Sequence, residues 1–417
     1  MHCADLHIDS PFKGLSASHP ALGEKLRNAA FRAFQNIVQL AIREEVDAVI
    51  VAGDVYDSAD KSLQAQLKFR RGLEQLNAAG IPVFVAHGNH DPLDGWSASL
   101  KFPGNAHIFS GKRVESFPVE RDGKTLAHVY GISFPRRDVR ENLARLFKRE
   151  TREGLAVGVL HANVGGKPGH EAYAPCSVED LEASGMDYWA LGHVHAREIV
   201  RDDAPAVVYP GNIQARKWTE EGEKGCCLVT LYRDGPPDIR FVPTDVVRYC
   251  SDRLDISSCA SLDDVMQCVR AKCEETLSRT GGRDAVFRLS LTGRTAINHE
   301  LQRAGVVEDL MAEVQSSLEG QEPAVWLELL LETRGTYDVD ALRQGKDFIA
   351  DLIAIYDQAA RGDCREEIRE TLKPLFQDWQ GKKYLEPPSD AQLTQILEQA
   401  RDIALDGLAD NARGPLE

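Results

Sequence analysis

The chain has 417 residues, of which 43% are hydrophobic and 27% charged, so its length suits two or three domains and its composition is ordinary for a soluble globular protein. A net charge of −16 argues against a general basic coat for nucleic acid, although it leaves room for a local basic groove or a site that gathers cations. The chain contains no run of about eighteen apolar residues, so we predict no membrane span.

The cysteines and the first residues indicate a cytoplasmic protein. Nine cysteines are present, an odd number without any Cys-x-x-Cys pair, and Cys226 and Cys227 are adjacent on a predicted strand. Reduced thiols in the cytosol fit this pattern best. The start of the chain, residues 1–5, lacks the basic-then-apolar pattern of a secretory signal.

The first ninety residues alternate between apolar strands and amphipathic helices. A short first strand over 1–4 precedes Asp5-Leu6-His7, whose two polar side chains point the same way if the segment is extended. Apolar residues at helical spacing predict helices over about 20–45 and 61–79. Buried strands are predicted over 46–52 and from 81 onward. This β-α-β-α-β order predicts a parallel sheet with functional residues at the carboxyl ends of its strands.

From about residue 106 the predicted strands are shorter and more closely spaced. The simplest explanation is a second, more antiparallel sheet that packs against the first, in a domain that ends near residue 246. The strands are predicted at 107–109, 127–134, 155–160, 187–191, 206–212 and 225–232.

The last 170 or so residues divide into two further patterns. A smaller α/β pattern covers 247–335, with a capping box at Ser261 that opens a helix to about Arg279. Strands at 286–291 and 325–331 enclose a helical stretch that reaches about 318. The remainder, 336–417, is predicted to be helical, with breaks at 361–363, 380–381 and 387–388.

Oxygen and imidazole ligands stand at the ends of five predicted strands. Each cluster alone has an ordinary explanation, such as a helix-capping acid or a core or surface histidine, but their joint appearance indicates a metal site. Mixed oxygen and nitrogen ligation suits Mn²⁺, Fe or Zn²⁺, whereas calcium takes oxygen ligands only. A shared carboxylate would let the set hold two ions, and two metals about 3.5–4 Å apart can clamp an in-line displacement at phosphorus. The clusters are Asp5-Leu6-His7, Gly53-Asp54, Asn89-His90, His161 and His193-Val194-His195.

The segment Gly88-Asn89-His90-Asp91 combines three kinds of polar group directly after a strand. Asn89 offers a neutral oxygen ligand, and the His90 imidazole can transfer a proton near neutral pH. Asp91 is an acceptor that could fix the tautomer of His90. A polar loop with a capping asparagine is the alternative explanation for the same four residues.

These motifs, in this order, resemble those of the calcineurin-like metallophosphoesterases: Asp-x-His, Gly-Asp-x-x-Asp, Gly-Asn-His-Asp, a lone His, and Gly-His-x-His. The order and spacing are most similar to the SbcD-type DNA repair exonucleases and, among them, the YhaO-like branch. The resemblance implies a calcineurin-like αββα sandwich of two mixed sheets over 1–246, a small α/β capping domain over 247–335, and a helical C-terminal region over 336–417. Three further stretches carry it: Cys3 to Phe12; Tyr209 to Gln214 with Glu221 to Gly225; and Phe287 to Arg294.

The resemblance also implies a role for each ligand. Asp54 would bridge two metal ions, and His90, with Asp91 behind it, would face the scissile phosphate or the leaving oxygen. Asp57 matches the second acid of Gly-Asp-x-x-Asp and is not assigned as a ligand. One ion would be held by Asp5, His7 and His195, and the other by Asn89, His161 and His193.

The function that the resemblance implies is a DNA exonuclease or endonuclease subunit acting in DNA repair, in which metal-activated hydroxide attacks a backbone phosphodiester. Manganese is the expected metal, with iron or zinc as alternatives. Relatives pair with an SMC-like ABC ATPase, for which the helical C-terminal region is a candidate docking element. A homodimer is a further possible assembly. Two other hypotheses are a phosphatase or phosphodiesterase for nucleotides or other small phosphoesters, and an interaction subunit with a vestigial metal site.

Two basic pairs and two tryptophans could contact nucleic acid. Arg136-Arg137 and Lys382-Lys383 could bind phosphates, although solvated surface charge is the more common explanation. Trp96 and Trp218 could stack on bases.

Overall fold

The computed structural model describes residues 1–10, 20–167, 171–337, 339–362, 364–377 and 386–412. Its chain divides into two compact units. The first unit consists of Met1–Cys250, Thr276–Val286 and Gln321–Trp326. The second unit consists of Ser251–Glu275, Phe287–Gly320 and Leu327–Glu417. The predicted domain boundaries at 246 and 335 stay predictions. The predicted break at 380–381 and the pair Lys382-Lys383 lie outside the described residues.

The regular elements of the described residues are numbered here in chain order. The strands are β1 (His2–Cys3), β2 (Val49–Ala52), β3 (Val83–Ala86), β4 (Ala106–Ile108), β5 (Glu115–Arg121), β6 (Lys124–Gly131), β7 (Leu155–His161), β8 (Tyr188–Gly192), β9 (Glu198–Arg201), β10 (Ala206–Tyr209), β11 (Gly225–Thr230), β12 (Asp238–Pro243), β13 (Val247–Asp255), β14 (Asp284–Thr295) and β15 (Val325–Gly335). The helices are α1 (Pro20–Arg43), α2 (Leu63–Ala78), α3 (Val178–Glu182), α4 (Leu262–Arg279), α5 (Asn298–Leu301), α6 (Val306–Ser317), α7 (Val339–Arg343), α8 (Phe348–Arg361), α9 (Arg365–Gln377) and α10 (Asp390–Ala412).

The first sheet has the order β12-β11-β1-β2-β3-β4. Strands β1 to β4 are parallel, and β11 joins antiparallel to β1. The residues of β2 and β3 are buried on both faces, which is why these strands are continuous apolar runs without alternation. Helices α1 and α2 supply the crossovers and cover the outer face through Phe34 and Phe69, and Ser62 caps α2 by accepting from the Ala65 amide.

The second sheet has the order β5-β6-β7-β8-β10-β9 and faces the first across an apolar layer. Phe84 from the first sheet and Val159 and Tyr188 from the second lie in that layer. A separate cluster around Trp189 covers the other face of the second sheet. The two mixed sheets with their covering layers confirm the predicted αββα sandwich.

Two details of the predicted sheets were wrong. The second sheet is mainly parallel, because β6, β7, β8 and β10 run the same way and only its edge strands are antiparallel. Strands β4 and β11, which were predicted in the second sheet, lie in the first. Pairing between distant strands is decided by which edges meet during tertiary packing, and short apolar runs carry no signal for their partner.

The second unit holds most of a third sheet, with the order β13-β14-β15, and the helices α5 to α10. The capping box predicted for α4 is confirmed, because Asp264 accepts from the Ser261 amide and Ser261 Oγ accepts from the Asp264 amide. The predicted break at 361–363, of which residue 363 lies outside the described residues, coincides with the end of α8 at Arg361, and Gly362 caps the helix with a φ of 105° that favours glycine. Among the described residues, no helix has the length and apolar character needed to span a bilayer.

Candidate metal centre

Five strand ends from the two sheets of the first unit meet at one place. Asp5, Asp54 and Asn89 follow β1, β2 and β3, and His161 and His193 lie at the ends of β7 and β8. All five side chains are at most 8% exposed. As predicted, these residues therefore converge at the carboxyl ends of parallel strands, and they come from both sheets.

The short first strand is confirmed, but the segment after it is not extended as predicted. Asp5 and His7 have φ of 51° and 42°, a conformation that non-glycine residues rarely adopt. The segment is held instead by backbone hydrogen bonds from the Asp5 amide to Gly53 O at 3.0 Å and from the His7 amide to Asp54 O at 3.1 Å. Asp54 and His193 also have positive φ, at 49° and 99°, so four predicted ligands occupy strained backbone, which is typical of functional sites.

One side of the cluster contains Asp5, His7 and His195, whose ligand atoms all lie within 4.8 Å of one another. The Nε2 atoms of His7 and His195 are 3.3 Å apart. Burial raises the pKa of Asp5, and the same effect together with the charge of Arg216 lowers the pKa of His7. Each of these shifts favours the neutral group when no cation is bound.

Asp54 lies between the two sides of the cluster. Its Oδ2 is 3.9 Å from His7 Nε2 and 3.4 Å from His161 Nε2, and its Oδ1 accepts from the His90 amide at 3.0 Å. Burial would raise the pKa of Asp54, yet the nearby imidazoles of His161, His7 and His90 outweigh it and hold the pKa below its ordinary value. The Asp54 carboxylate therefore lies within reach of both sides of the cluster.

The other side contains His161, Asn89 and His193. His161 Nδ1 donates to Ala52 O at 3.1 Å, so Nε2, 3.0 Å from Asn89 Oδ1, is the ring nitrogen that faces the cluster. The His193 ring centroid is 5.3 Å from that of His161, and its Nε2 lies 3.0 Å from Glu171 O. The His193 amide donates to both oxygens of Asp5, at 3.1 and 3.2 Å, and so ties the two sides together.

Three glycines allow the strand ends to approach His161. A Cβ on Gly53 would lie 2.1 Å from His161 Nδ1, and one on Gly192 would lie 1.8 Å from Ala52 O. A Cβ on Gly88 would lie 2.3 Å from Asp54 Oδ1. Side chains at these positions would occupy the ligand cluster itself, which explains why the motifs Gly-Asp, Gly-Asn-His-Asp and Gly-His-x-His each begin with glycine.

The predicted pairing of Asp91 with His90 is wrong. Asp91 Oδ2 lies 2.7 Å from His87 Nδ1, and Asp91 also accepts from the amides of Gly88 and Val55. The His90 ring instead places Nδ1 3.0 Å from Asp57 O. Side chains at neighbouring positions of this turn point apart, so the acid binds the imidazole four residues before it and holds the loop, while His90 faces outward.

Three further residues contact the cluster: Asp57, which the sequence analysis named without assigning it as a ligand, and Arg216 and Glu220, which it missed. Asp57 Oδ1 is 3.0 Å from His7 Nδ1 and forms an ion pair with Arg216, and Asp57, His7 and His90 make a further group that could hold a cation. Glu220 Oε1 lies 2.8 Å from His195 Nδ1. Only Asp57 had a local signal, since it is the second acid of Gly-Asp-x-x-Asp; Arg216 and Glu220 lie in a loop without any motif that predicts a contact.

The side chains considered for nucleic-acid contact differ in exposure. Trp96 is 51% exposed, whereas Trp218 packs against Tyr249, with ring centroids 5.2 Å apart. Arg136 forms a surface ion pair with Glu141 at 2.6 Å. Stacking on bases stays a prediction for both tryptophans.

Comparison with known proteins identifies the family. The family profile described as calcineurin-like phosphoesterase matches residues 1–197, and the profile of the metallophosphoesterase YhaO middle domain matches residues 250–334. The uncharacterized metallophosphoesterase YhaO of Bacillus subtilis is 33% identical over 407 residues, which are 97% of this chain and 96% of that relative. The protein belongs to the calcineurin-like metallophosphoesterases, in the YhaO-like branch.

Other similarities extend to nucleases. A DNA double-strand break repair protein Mre11 from Aeropyrum pernix is 31% identical over 258 residues, 57% of this metallophosphoesterase and 58% of that relative. The SbcD component of the nuclease SbcCD from Escherichia coli K12 is 24% identical over 345 residues, 80% of this chain and 78% of that one. Among solved structures, a dimetal phosphatase from Danio rerio is similar, with a TM-score of 0.34 and 13% sequence identity. The aligned region covers 56% of this chain and 94% of the phosphatase chain.

Metallophosphoesterases of this family use a dimetal centre, and the residues of this cluster fit one. The facing Nε2 atoms of His7 and His195 cannot both carry a hydrogen at 3.3 Å, so at least one lone pair points at its neighbour. His7 Nδ1 is buried without a hydrogen bond, although Asp57 Oδ1 lies 3.0 Å away. Lone pairs and carboxylates that converge in a buried space are stabilised by a cation.

Proposed function

We propose that the protein is a two-metal phosphodiesterase that cleaves the DNA backbone in DNA repair, as an exonuclease or endonuclease subunit. The observation that carries this proposal is the meeting of imidazoles, carboxylates and an asparagine amide from five strand ends in one buried cluster. The Mre11 and SbcCD relatives, which are named as a DNA break repair protein and a nuclease, add support for DNA as the substrate.

The ligand assignment follows the two sides of the cluster. Asp54 would be the ligand shared by both ions, and manganese is the expected metal, with iron or zinc as alternatives of similar ligand preference. Divalent ions bound there polarise a phosphoryl oxygen and activate water near neutral pH. Asp5, His7 and His195 are assigned to one ion, and Asn89, His161 and His193 to the other.

His90 is assigned as the group that protonates the leaving oxygen. Its side chain is 34% exposed, whereas the side chains of His7 and His161 are almost completely buried, so of these three imidazoles it is the one that substrate can reach. Asp57 O accepts from Nδ1 and thereby leaves Nε2 directed away from that carbonyl. A protonated Nε2 stabilises the departing alkoxide, which is the ordinary task of a positioned imidazolium.

The regions beyond the sandwich are given supporting roles. Residues 247–335, which match the YhaO middle domain over most of their length, are assigned to the selection of DNA substrates. Residues 336–417 are assigned to the binding of an SMC-like ABC ATPase, by analogy with the SbcCD nuclease, whose SbcD component is a relative. A cytoplasmic location suits both the DNA substrate and the nine free thiols.

A gel assay with end-labelled linear duplex, Mn²⁺ and an added ATPase partner tests the proposal. We expect shortened or nicked products from the wild-type chain, and no products from the His90→Ala variant or after removal of metal by EDTA. Turnover of bis(p-nitrophenyl) phosphate without cleavage of any duplex, with or without the ATPase, would instead assign the protein to small phosphoesters. A protein that binds the ATPase but hydrolyses neither substrate would indicate an interaction subunit.

A further inference from the structure

Arg216 is a cation at the edge of the metal cluster that the proposed ligand set does not use. Its guanidinium pairs through Nη1 with Asp57, whose carboxylate is 3.0 Å from His7 Nδ1 and whose carbonyl accepts from His90. The side chain keeps 16% of its surface exposed. The positive charge therefore lies beside one predicted ligand and beside the imidazole assigned to the leaving group.

The hydrogen bonding of this guanidinium is incomplete. Arg216 Nε is buried and has no hydrogen-bond partner among the described residues. Because Nε is buried, an incoming anion cannot reach it, but Nη2 has no hydrogen-bond partner in the described part of the chain and is not buried, so Nη2 is the donor open to a substrate. The planar guanidinium fork matches phosphate oxygens in particular, because two parallel N–H groups can contact two oxygens at once.

The backbone of Arg216 is fixed to the same cluster. Its amide donates to Glu220 Oε2 at 2.8 Å, and Glu220 Oε1 lies 2.8 Å from Nδ1 of the predicted ligand His195. Asn212 Nδ2 donates to Glu220 Oε2 at 2.9 Å and completes this link. One buried carboxylate thus sets the position of a ligand and of the arginine together.

We propose that Arg216 binds the non-bridging oxygens of the substrate phosphate and that Asp57 is the positioning residue that holds its guanidinium toward the metal cluster. This inference rests on the proposed use of the cluster for phosphoester cleavage. It adds a substrate contact from the loop after β10, a part of the chain to which the motifs assign no role. It also predicts that phosphate binding depends on the charge at position 216. Without Arg216, the Asp57 carboxylate has no cation beside it and repels a bound anion.

The test compares the manganese-loaded full chain with its Arg216→Gln and Arg216→Lys variants. Arg240→Gln is the matched control, since Arg240 also pairs with a carboxylate, that of Glu44 at 2.9 Å, but lies on the edge strand β12. Inorganic phosphate is the binding probe, measured by equilibrium dialysis and by the phosphate-dependent rise in melting temperature. Metal content, and kcat and KM for bis(p-nitrophenyl) phosphate and p-nitrophenyl phosphate, are measured on the same samples.

We expect Arg216→Gln to bind phosphate about 10- to 100-fold more weakly while keeping the wild-type metal content. The loss of kcat/KM should be larger for p-nitrophenyl phosphate, a dianion, than for the monoanionic diester. Arg216→Lys should recover part of both, because it keeps the charge and loses the fork. Arg240→Gln should resemble the wild type.

Two results would overturn the inference. One is wild-type phosphate affinity in Arg216→Gln, which would make the arginine a structural ion-pair partner. The other is loss of metal in both Arg216 variants, which would make it a support of the ligand shell. If the wild type hydrolyses the small esters but cleaves no DNA, only the DNA substrate of the proposed function fails, whereas a wild type without metal or turnover removes the basis of both proposals.

Discussion

Replacing Glu220 by glutamine tests whether this buried acid organises the metal cluster. Its two oxygens serve three donors: Oε1 lies 2.8 Å from His195 Nδ1, and Oε2 accepts from the amide of Arg216 at 2.8 Å and from Asn212 Nδ2 at 2.9 Å. A glutamine has a single oxygen, so its NH₂ group must face at least one of these donors. A buried donor left unmatched costs about 1–3 kcal/mol, and we expect the free energy of unfolding to fall by that amount.

Metal affinity should fall as well. The hydrogen bond between Glu220 and His195 Nδ1 fixes the ring so that Nε2 faces His7, 3.3 Å away. Loss of such an outer-shell partner typically weakens metal binding about 10- to 100-fold. Titration of the apoprotein with Mn²⁺, together with urea unfolding in EDTA, measures both effects on the same preparations.

The difference in the free energy of unfolding between wild type and Glu220→Gln should also depend on pH. Burial raises the pKa of Glu220, but the hydrogen bond and charge of His195, followed by the charge of Arg216, outweigh it and bring the pKa to about 2 from an ordinary 4.5. Because the folded-state pKa is depressed, the ionised acid stabilises the fold above about pH 4.5, and this contribution is lost as the pH falls toward 2. The difference in the free energy of unfolding between wild type and Glu220→Gln should therefore narrow as the pH falls below about 4.5.

Glu223→Gln is the matched control for this experiment. Its side chain is 55% exposed and pairs with Arg248 at 3.2 Å, so its loss should change stability by less than about 0.5 kcal/mol and leave metal affinity unchanged. Wild-type unfolding and wild-type Mn²⁺ affinity in Glu220→Gln would refute the reasoning, since the three donors would then be satisfied without the carboxylate.

Three further substitutions separate chemistry, ligation and packing. His90→Ala should lower kcat about 10²- to 10⁴-fold with metal content nearly intact, and loss of both metals would move His90 from proton transfer to ligation. Asp54→Asn should weaken both ions together by more than about tenfold in a Mn²⁺ titration, and unchanged occupancy would refute its bridging position. Gly192→Ala should lower the free energy of unfolding by about 3 kcal/mol or more, because the new Cβ would lie 1.8 Å from Ala52 O. Gly104→Ala, where a Cβ meets no atom within 4 Å, should stay within about 0.5 kcal/mol, and equal stability of the two variants would contradict the packing argument.

Much of the sandwich and the contents of the candidate site could be predicted from the sequence. Strands β2 and β3 are continuous apolar runs with the helix α2 between them, and Asp54 and Asn89 follow them closely. Because a parallel strand presents its carboxyl end at one edge of its sheet, the residue after it has a predictable location. The sheet that each later strand joins could not be predicted, since β4 and β11 have the same composition whichever edge they pair with.

What the sequence alone determined is therefore the identity of the residues at the strand ends, since a local pattern specifies them. Tertiary structure alone decided their partners. Asp91 binds His87 and not the adjacent His90, and Asp57 meets Arg216, 159 residues away. Glu220, 25 residues after His195, fixes that ring from a loop without a motif. Side-chain direction in a turn and contacts between distant loops depend on how the whole chain packs, and no spacing of residues along the chain records them.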